Sequence, residues 1–308
     1  MSATRRSLLL MGAVLAASLT LAGCGGGTPS GTEASNAGTI AVVASTNVYG
    51  DIAKSIGGDH VSVHTIISDP AADPHGYEAN AQDKLAVSKA QVGIENGGGY
   101  DDFFTQLAKG QLDTKNIVNV SELSGLDTGA DFNEHVWYSL PTILKLADDL
   151  ATRFSAELPA QAATFTDQAA AFKTQIATVE SRLAALKKDH DGAGAAVTEP
   201  VPLYLLAEAG LVNETPEKFT SAIENGADVP ASTLTEVLAM MASGKVAVLA
   251  YNTQTESPQT EQVKAAAEKA GVPVVDFAET LPADTSYLDW MIANVSNLEQ
   301  GLTTTAGK

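Results

Sequence analysis

Short apolar runs alternate with amphipathic stretches along most of the chain, and glycines or prolines separate them. A continuous apolar run such as TIAVVAST (39–46) is typical of a strand that is buried on both faces. In the first half, runs of this kind predict strands at 39–46, 60–68, 91–98 and 115–123. Helical periodicity predicts helices at 48–56, 82–90 and 100–108. Strands that alternate with helices indicate parallel βαβ units.

The second half repeats this pattern. Its predicted strands lie at 193–200, 245–252 and 273–279. Its predicted helices lie at 203–211, 232–243, 260–272 and 284–302. The expected fold class is therefore α/β, with two similar, Rossmann-like lobes.

One long stretch between the halves has the most regular helical pattern in the chain. Its apolar residues recur in steps of three and four, at Phe165, Ala169, Phe172, Ile176, Val179, Leu183 and Leu186. This stripe predicts one helix over 164–190, and at 1.5 Å per residue that helix would be about 40 Å long, roughly the diameter of a domain. We therefore expect an N-terminal lobe at 39–163, a C-terminal lobe at 191–308, and one rigid helix that links them.

The first residues have the features of a bacterial export signal. Two arginines at 5–6 precede an apolar run at 8–21 that is too short to span a membrane as a helix. The stretch LAGC at 21–24 is similar to a lipobox, which predicts a lipoprotein signal peptide over 1–23 and acylation of Cys24. The paired arginines leave open whether export follows the general or the twin-arginine route.

The composition of the remaining chain limits its possible partners, metal sites and number of domains. Residues 24–38 are mostly Gly, Ser, Thr, Asn and Glu, which predicts a flexible tether, so the body would be lipid-anchored on the extracytoplasmic face of the cell membrane. The formal net charge of −19 disfavours nucleic acid as a partner and is compatible with a cation ligand. Cys24 is the only cysteine, which excludes an intrachain disulfide and a cysteine-based metal site. About 270 residues follow the tether, a length that suggests two domains.

Residues able to bind a cation stand where the predicted strands end. Ligands of open parallel sheets bind beyond the carboxyl ends of the strands. His75, Glu199 and Glu279 lie at or after such ends, and His135 lies just before a helix predicted to start near Pro141. If the lobes face each other, two imidazoles from one half and two carboxylates from the other would meet. From the residues alone, each remains open to an ordinary structural or surface role. The other histidines are expected to be structural: His60, His64 and His190.

Three motifs carry a family resemblance. DPHGYE (73–78), HVWYSLP (135–141) and the tail VPVVDFAETLP with YLDWMIANV (272–295) resemble the zinc- and manganese-binding solute-binding lipoproteins of bacterial ABC transporters, the adhesin-like family. The similarity extends over 40–302, nearly all of the expected mature chain. It implies two lobes joined by one long rigid helix, with the metal in the cleft between the lobes.

The resemblance also implies which side chains bind the metal. His75 and His135 match the two ligands of the N-terminal lobe. Glu199 falls where a third ligand, His or Glu, is expected, and Glu279 falls where a carboxylate, usually Asp, is expected. The chain departs from the family pattern at Glu134, where many members have Pro, and at Glu199, where members dedicated to zinc commonly have His.

The ligand set limits the choice of metal. Two imidazoles with two carboxylates are harder than an all-His set, which favours Mn²⁺ or Fe²⁺, yet Zn²⁺ also binds this set and competes strongly. Residues 110–134 lack the His-rich loop of many zinc members. We expect Zn²⁺ or Mn²⁺ about equally, with Fe²⁺ less favoured. Metal-bound imidazoles usually donate their second N–H to an acceptor, for which Glu78 and Glu134 are candidates.

The favoured function is a monomeric binding protein, not an enzyme, that captures a divalent metal and delivers it to the permease and ATPase subunits of an ABC importer. One alternative is a metal-dependent hydrolase, but neither HExxH nor Gly-x-Ser-x-Gly is present. The other alternative is an adhesin-type surface lipoprotein with a structural metal. Because metal-bound imidazoles must be neutral, binding by His75 and His135 should weaken on acidification.

Overall fold

The computed structural model describes residues 38–306, except for 71, 73, 75, 128, 130 and 131. The predicted signal peptide, the acylation site Cys24, the tether up to residue 37 and the proposed ligand His75 lie outside the described residues. Within the described part of the chain, no helix is both long enough and apolar enough to cross a bilayer.

The first half folds around one parallel sheet. Its strands are β1 (Ile40–Thr46), β2 (Val61–Ile67), β3 (Val92–Glu95) and β4 (Ile117–Asn119). Its helices are α1 (Asn47–Gly57), α2 (Ala81–Lys89), α3 (Asp102–Ala108), α4 (Val120–Ser124) and α5 (Leu140–Glu157). The sheet order is β2-β1-β3-β4, so the most apolar strand, β1, lies in the interior of the sheet and pairs on both sides. This position explains why its sequence does not alternate.

The second half repeats this architecture after the long helix α6 (Ala162–His190). Its strands are β5 (Gly194–Val197), β6 (Val212–Asn213), β7 (Val246–Asn252) and β8 (Val274–Phe277). Its helices are α7 (Leu203–Glu208), α8 (Glu217–Glu224), α9 (Ala231–Met241), α10 (Pro258–Ala270) and α11 (Tyr287–Ala306). The order β6-β5-β7-β8 matches that of the first sheet, and all pairings are parallel. The expectation of two parallel α/β lobes is confirmed.

The two sheets have matching switch points, where the strand order changes direction. The change falls between β1 and β3 in the first sheet and between β5 and β7 in the second. At such a point the loops beyond neighbouring strands diverge and leave a crevice, which is where open α/β sheets bind ligands. The topology therefore places two potential binding crevices at the carboxyl ends of the central strands.

The helix α6 is part of the hydrophobic core of both halves. Its buried residues are those of the predicted stripe, Phe165, Ala169, Phe172, Ile176, Val179, Leu183 and Leu186. They belong to one continuous cluster that also includes apolar residues of both sheets. Phe172 stacks on Tyr287 of α11 with ring centroids 6.3 Å apart. Arg182 forms a salt bridge with Glu299, also in α11, with 2.5 Å between the guanidinium Nη2 and the carboxylate Oε2. A helix packed in this way acts as a stiff connection rather than as a free linker.

Two sequence-based expectations about elements were wrong or incomplete. The strand predicted over 115–123 ends at Asn119, because the Asn119 side chain accepts a hydrogen bond from the Glu122 N–H at 3.0 Å and starts the helix α4. Neither β6 nor α8 was predicted. The two residues of β6 are both exposed, so they carry no apolar pattern from which a strand can be inferred.

Candidate metal centre

Two glutamates of the second sheet meet at its carboxyl edge. Glu199 and Glu279 each follow a strand by two residues, after β5 and β8 respectively, and Asn252 is the last residue of the strand between them, β7. The Asn252 Nδ2 donates to Glu199 Oε2 and to Glu279 Oε1, the second bond at 2.9 Å. All three side chains are buried, with at most 3% exposed. One neutral amide therefore holds two carboxylates side by side.

Neighbouring hydroxyls complete this arrangement. The Thr255 hydroxyl donates to Glu199 Oε2 at 2.5 Å, and the Thr198 hydroxyl accepts the Asn252 N–H at 2.8 Å. Two carboxylates buried next to each other repel, and the loss of water makes their charges costly. A cation placed between them would offset both penalties.

His135 comes from the first half and faces this carboxylate pair. It precedes a single 3-10 turn (Val136–Tyr138) and is only 1% exposed. The Asn133 Oδ1 accepts the His135 N–H at 3.2 Å and lies 2.7 Å from His135 Nδ1. Because an amide oxygen only accepts, the ring proton belongs on Nδ1 and the lone pair on Nε2. That nitrogen is 3.9 Å from Glu279 Oε2. A neutral imidazole in this tautomer has the form that binds a metal.

Aromatic rings enclose the imidazole. The ring centroids of Tyr100 and Trp137 lie 6.0 Å and 5.1 Å from that of His135. The Tyr100 hydroxyl donates to Glu279 Oε2 at 3.2 Å. Burial, and next the charge of Glu279, raise the pKa of Tyr100 well above its ordinary value, so the phenol stays a neutral donor. The rings exclude water and thereby strengthen electrostatic interactions in the cleft.

A glycine turn after β3 sets the position of Tyr100. Gly97, Gly98 and Gly99 all have positive φ, at 73°, 68° and 97°, which side chains with a Cβ rarely adopt. The Asp101 carboxylate accepts the N–H of Gly97 at 2.8 Å and so holds the two ends of this turn together. Burial raises the pKa of Asp101 to about 6.

A further acidic side chain, Glu224 at the end of α8, lies beside this site. Single ligand atoms of Glu134, His135 and Glu224 all lie within 4.8 Å of one another. One carboxylate oxygen of Glu224 is buried without a hydrogen-bond partner. Burial raises its pKa to about 8, with further contributions from the charges of Glu134, Glu199 and Glu279. The carboxylates of Glu134, Glu199 and Glu279 therefore act on Glu224 from close by, and a cation bound among them would offset their repulsion.

The structure brings together three of the four side chains expected to bind metal, His135, Glu199 and Glu279. His75 lies outside the described residues. Of the two candidate acceptors, Glu134 lies beside His135, whereas Glu78 is exposed.

Sequence reasoning missed four residues around the site: Asn133, Asn252, Tyr100 and Glu224. Asn133 had a usable signal, since an Asn side chain commonly bonds to the backbone two residues on, which here is the N–H of His135. Glu224 had none, because it comes from a helix that the strand-end rule does not cover.

Comparisons with known proteins agree with this architecture. Residues 42–301 match the family described as ZnuA, zinc-uptake complex component A, periplasmic. The manganese-binding lipoprotein MntA of Bacillus subtilis (strain 168) is 31% identical over 162 residues, which are 51% of this chain and 52% of that protein. The iron ABC transporter substrate-binding lipoprotein MtsA of Streptococcus pyogenes serotype M1 is 28% identical over 173 residues, 52% of this chain and 54% of that protein. This chain thus matches about half the length of these relatives.

A solved structure with the same fold is the periplasmic zinc-binding protein TroA of Treponema pallidum. It superposes with a TM-score of 0.72 at 18% identity and covers 86% of this chain and 99% of TroA. At this identity the likeness shows the fold alone. The family match, in contrast, extends across both sheets and the helix α6. By that match, this chain belongs to the ZnuA family of periplasmic zinc-uptake components.

Proposed function

We propose that this chain is an extracytoplasmic solute-binding protein that captures one divalent transition-metal ion, Mn²⁺ or Zn²⁺, and delivers it to the permease and ATPase subunits of an ABC importer. The single observation that carries this proposal is the convergence of His135 from one half with Glu199 and Glu279 from the other. The His135 and Glu279 ligand atoms are only 3.9 Å apart, and both side chains are 1% exposed. Groups of this kind are rarely buried together unless an ion or a proton compensates them.

His75 is the fourth ligand in this proposal. It follows β2, whose carboxyl end lies at the same edge of the first sheet as the glycine turn after β3. Pro74 fixes its own φ and restricts the residue before it, which reduces the number of conformations that the chain next to His75 can adopt. A segment with fewer conformations before binding loses less conformational entropy on binding.

The ligand set supports a hard or borderline ion. Two imidazoles and two carboxylates suit Mn²⁺ and Fe²⁺, and Zn²⁺ accepts the same donors. The relatives point the same way, since MntA is named for manganese, MtsA for iron and the matching family for zinc uptake. We place Mn²⁺ and Zn²⁺ ahead of Fe²⁺.

Delivery requires that the protein stay near its transporter. In this proposal the signal peptide 1–23 is removed, acylated Cys24 anchors the protein in the membrane, and residues 24–38 tether a monomeric body. The body consists of an N-terminal lobe at 39–163, the helix at 164–190 and a C-terminal lobe at 191–308. The family is one of transport components, and binding followed by release, rather than catalysis, is the activity we assign.

Elemental analysis of the purified protein, followed by titration with Mn²⁺ and Zn²⁺, tests the proposal. Trp137 lies 5.1 Å from the His135 ring, so intrinsic fluorescence should report binding. We expect one ion per chain, and competition between the two metals would establish the preferred one. The variant Glu279→Gln should bind at least about thirtyfold more weakly, since it removes one partner of a buried charged contact.

The matched control is Glu236→Gln, which changes an exposed glutamate on α9. This control should bind like the wild type. Absence of saturable binding to either metal in the wild-type protein would reject the proposal. One bound ion together with hydrolytic turnover would support the hydrolase alternative instead.

A further inference from the structure

Gln254 lies two residues beyond β7, and its side-chain amide connects two loops from different halves of the protein. On one side, Oε1 accepts the N–H of Glu279 and, at 3.4 Å, the N–H of Thr280. On the other side, Nε2 donates to the carbonyl oxygens of Pro70 and Ala72, both at 3.1 Å, and to the Thr280 hydroxyl at 2.9 Å. Pro70 and Ala72 belong to the loop that follows β2.

The surroundings permit only one orientation of this amide. Two N–H groups face Oε1 and three oxygens face Nε2, so a flipped amide would set oxygen against oxygen and N–H against N–H. The Gln254 N–H is also held, because it donates to Asn252 Oδ1 at 3.1 Å. The side chain is therefore fixed at both ends although it is only half-buried.

We propose that Gln254 is a positioning residue that couples the Glu279 loop of the second sheet to the loop leading to His75, and thereby slows release of the bound metal. This inference rests on the proposed function. The loop contact is reinforced by the Thr280 hydroxyl, which donates to the Pro70 carbonyl at 3.0 Å. Ala72 stands three residues before His75 in the sequence.

The chemistry of an amide suits this task. Gln254 is neutral, so it adds no charge to a cleft that already contains several carboxylates. It binds the backbone N–H of Glu279 and leaves the Glu279 carboxylate to other partners. An ion held by ligands from both loops brings the loops together, and the amide bonds form only when they are together. Each contact then stabilises the other, as linkage requires.

This coupling acts on dissociation more than on association. An incoming ion meets the ligands of one half first, before the loops need to be joined. Leaving requires the loops to part, which breaks the bonds to Pro70 and Ala72. Affinity differences among variants of one site generally appear in the dissociation rate.

The test measures both rates in Gln254→Met, which keeps the shape of the side chain, and in Gln254→Ala. Mn²⁺ and Zn²⁺ are the probes. Stopped-flow tryptophan fluorescence gives association, and transfer to an excess of a chelator gives dissociation. The matched control is Asp51→Ala, which removes a different contact between the halves. The Asp51 carboxylate accepts the Tyr287 N–H at 2.7 Å, a bond between α1 and α11 that includes no atom of Gln254 or of the loop after β2.

Both Gln254 variants should release metal about tenfold faster, with association within about twofold of wild type, because roughly two hydrogen bonds between the loops are lost. Asp51→Ala should change dissociation by less than about twofold, because the hydrogen bond that it removes does not join the Glu279 loop to the loop after β2. An unchanged dissociation rate in the Gln254 variants, or an equal rise in Asp51→Ala, overturns the inference and leaves the proposed function intact. A wild-type protein that binds neither metal overturns both.

Discussion

The half-buried glutamate Glu224 should make the metal-free protein less stable as the pH rises. Burial, followed by the charges of Glu134, Glu199 and Glu279, raises the pKa of Glu224 from 4.5 to about 8. The native protein therefore holds this proton more tightly than the unfolded chain does. An acid with a raised pKa stabilises the native state only while it is protonated, so stability falls between about pH 4.5 and pH 8. Replacing it by Gln removes this loss.

The size of the effect follows from the same shift. A fully buried acid with this pKa would cost about 5 kcal/mol above pH 8, at 1.36 kcal/mol per pH unit. Solvent reaches part of the Glu224 side chain and screens its charge, which reduces the expected figure to about 1–2 kcal/mol. For a body of this size, that corresponds to a rise in Tm of about 2–8 °C in Glu224→Gln.

Thermal unfolding of chelator-treated protein, followed by circular dichroism, measures this directly. Wild type and Glu224→Gln should unfold at similar temperatures near about pH 5 and should separate by about pH 9, with the variant more stable. The control is Glu236→Gln, which changes an exposed glutamate on α9. Its unfolding temperature should follow that of the wild type at every pH. Parallel pH profiles for wild type and Glu224→Gln, or an advantage already complete at low pH, would refute the reasoning.

The remaining predictions concern the metal ligands and the long helix. In isothermal titration with Mn²⁺, His75→Ala and His135→Ala should each weaken binding at least about thirtyfold. The control His64→Ala changes an exposed residue of β2, and its affinity should stay within about twofold of wild type. Equal losses of affinity in all three variants would reject the ligand assignment. Wild-type affinity should be lower by at least about tenfold near pH 5 than near pH 7.5, because two imidazoles must lose protons to bind; equal affinities would argue against histidine ligation. Phe172→Ala should cost about 3–5 kcal/mol of unfolding free energy in urea titrations, since the ring is 3% exposed and stacks on Tyr287; a loss below about 1 kcal/mol would show that α6 is not part of the shared core.

Most of the fold could be inferred from local pattern. The bounds of the strand β1 and the helix α6 were predicted to within two residues. A buried central strand requires a continuous apolar run and an amphipathic helix requires apolar residues every three or four positions, and both patterns can be read from neighbouring residues. Where the pattern was short or conflicting, inference stopped. The apolar pattern of 115–123 predicted a strand that continues past Asn119, whereas the Asn119 side chain caps a helix there. A cap of this kind is a single local hydrogen bond, so it leaves no periodic signal in the sequence.

The site divides in the same way. Sequence alone selected His135, Glu199 and Glu279 as candidates, since strand ends and helix starts can be placed from the chain. Only the tertiary structure decided that they meet. The amide of Asn252 between the two carboxylates and the carboxylate of Glu224 beside His135 depend on contacts between segments far apart in the chain. Such contacts are fixed by how the sheets and the helix α6 pack, and packing is a property of the whole chain rather than of any stretch within it.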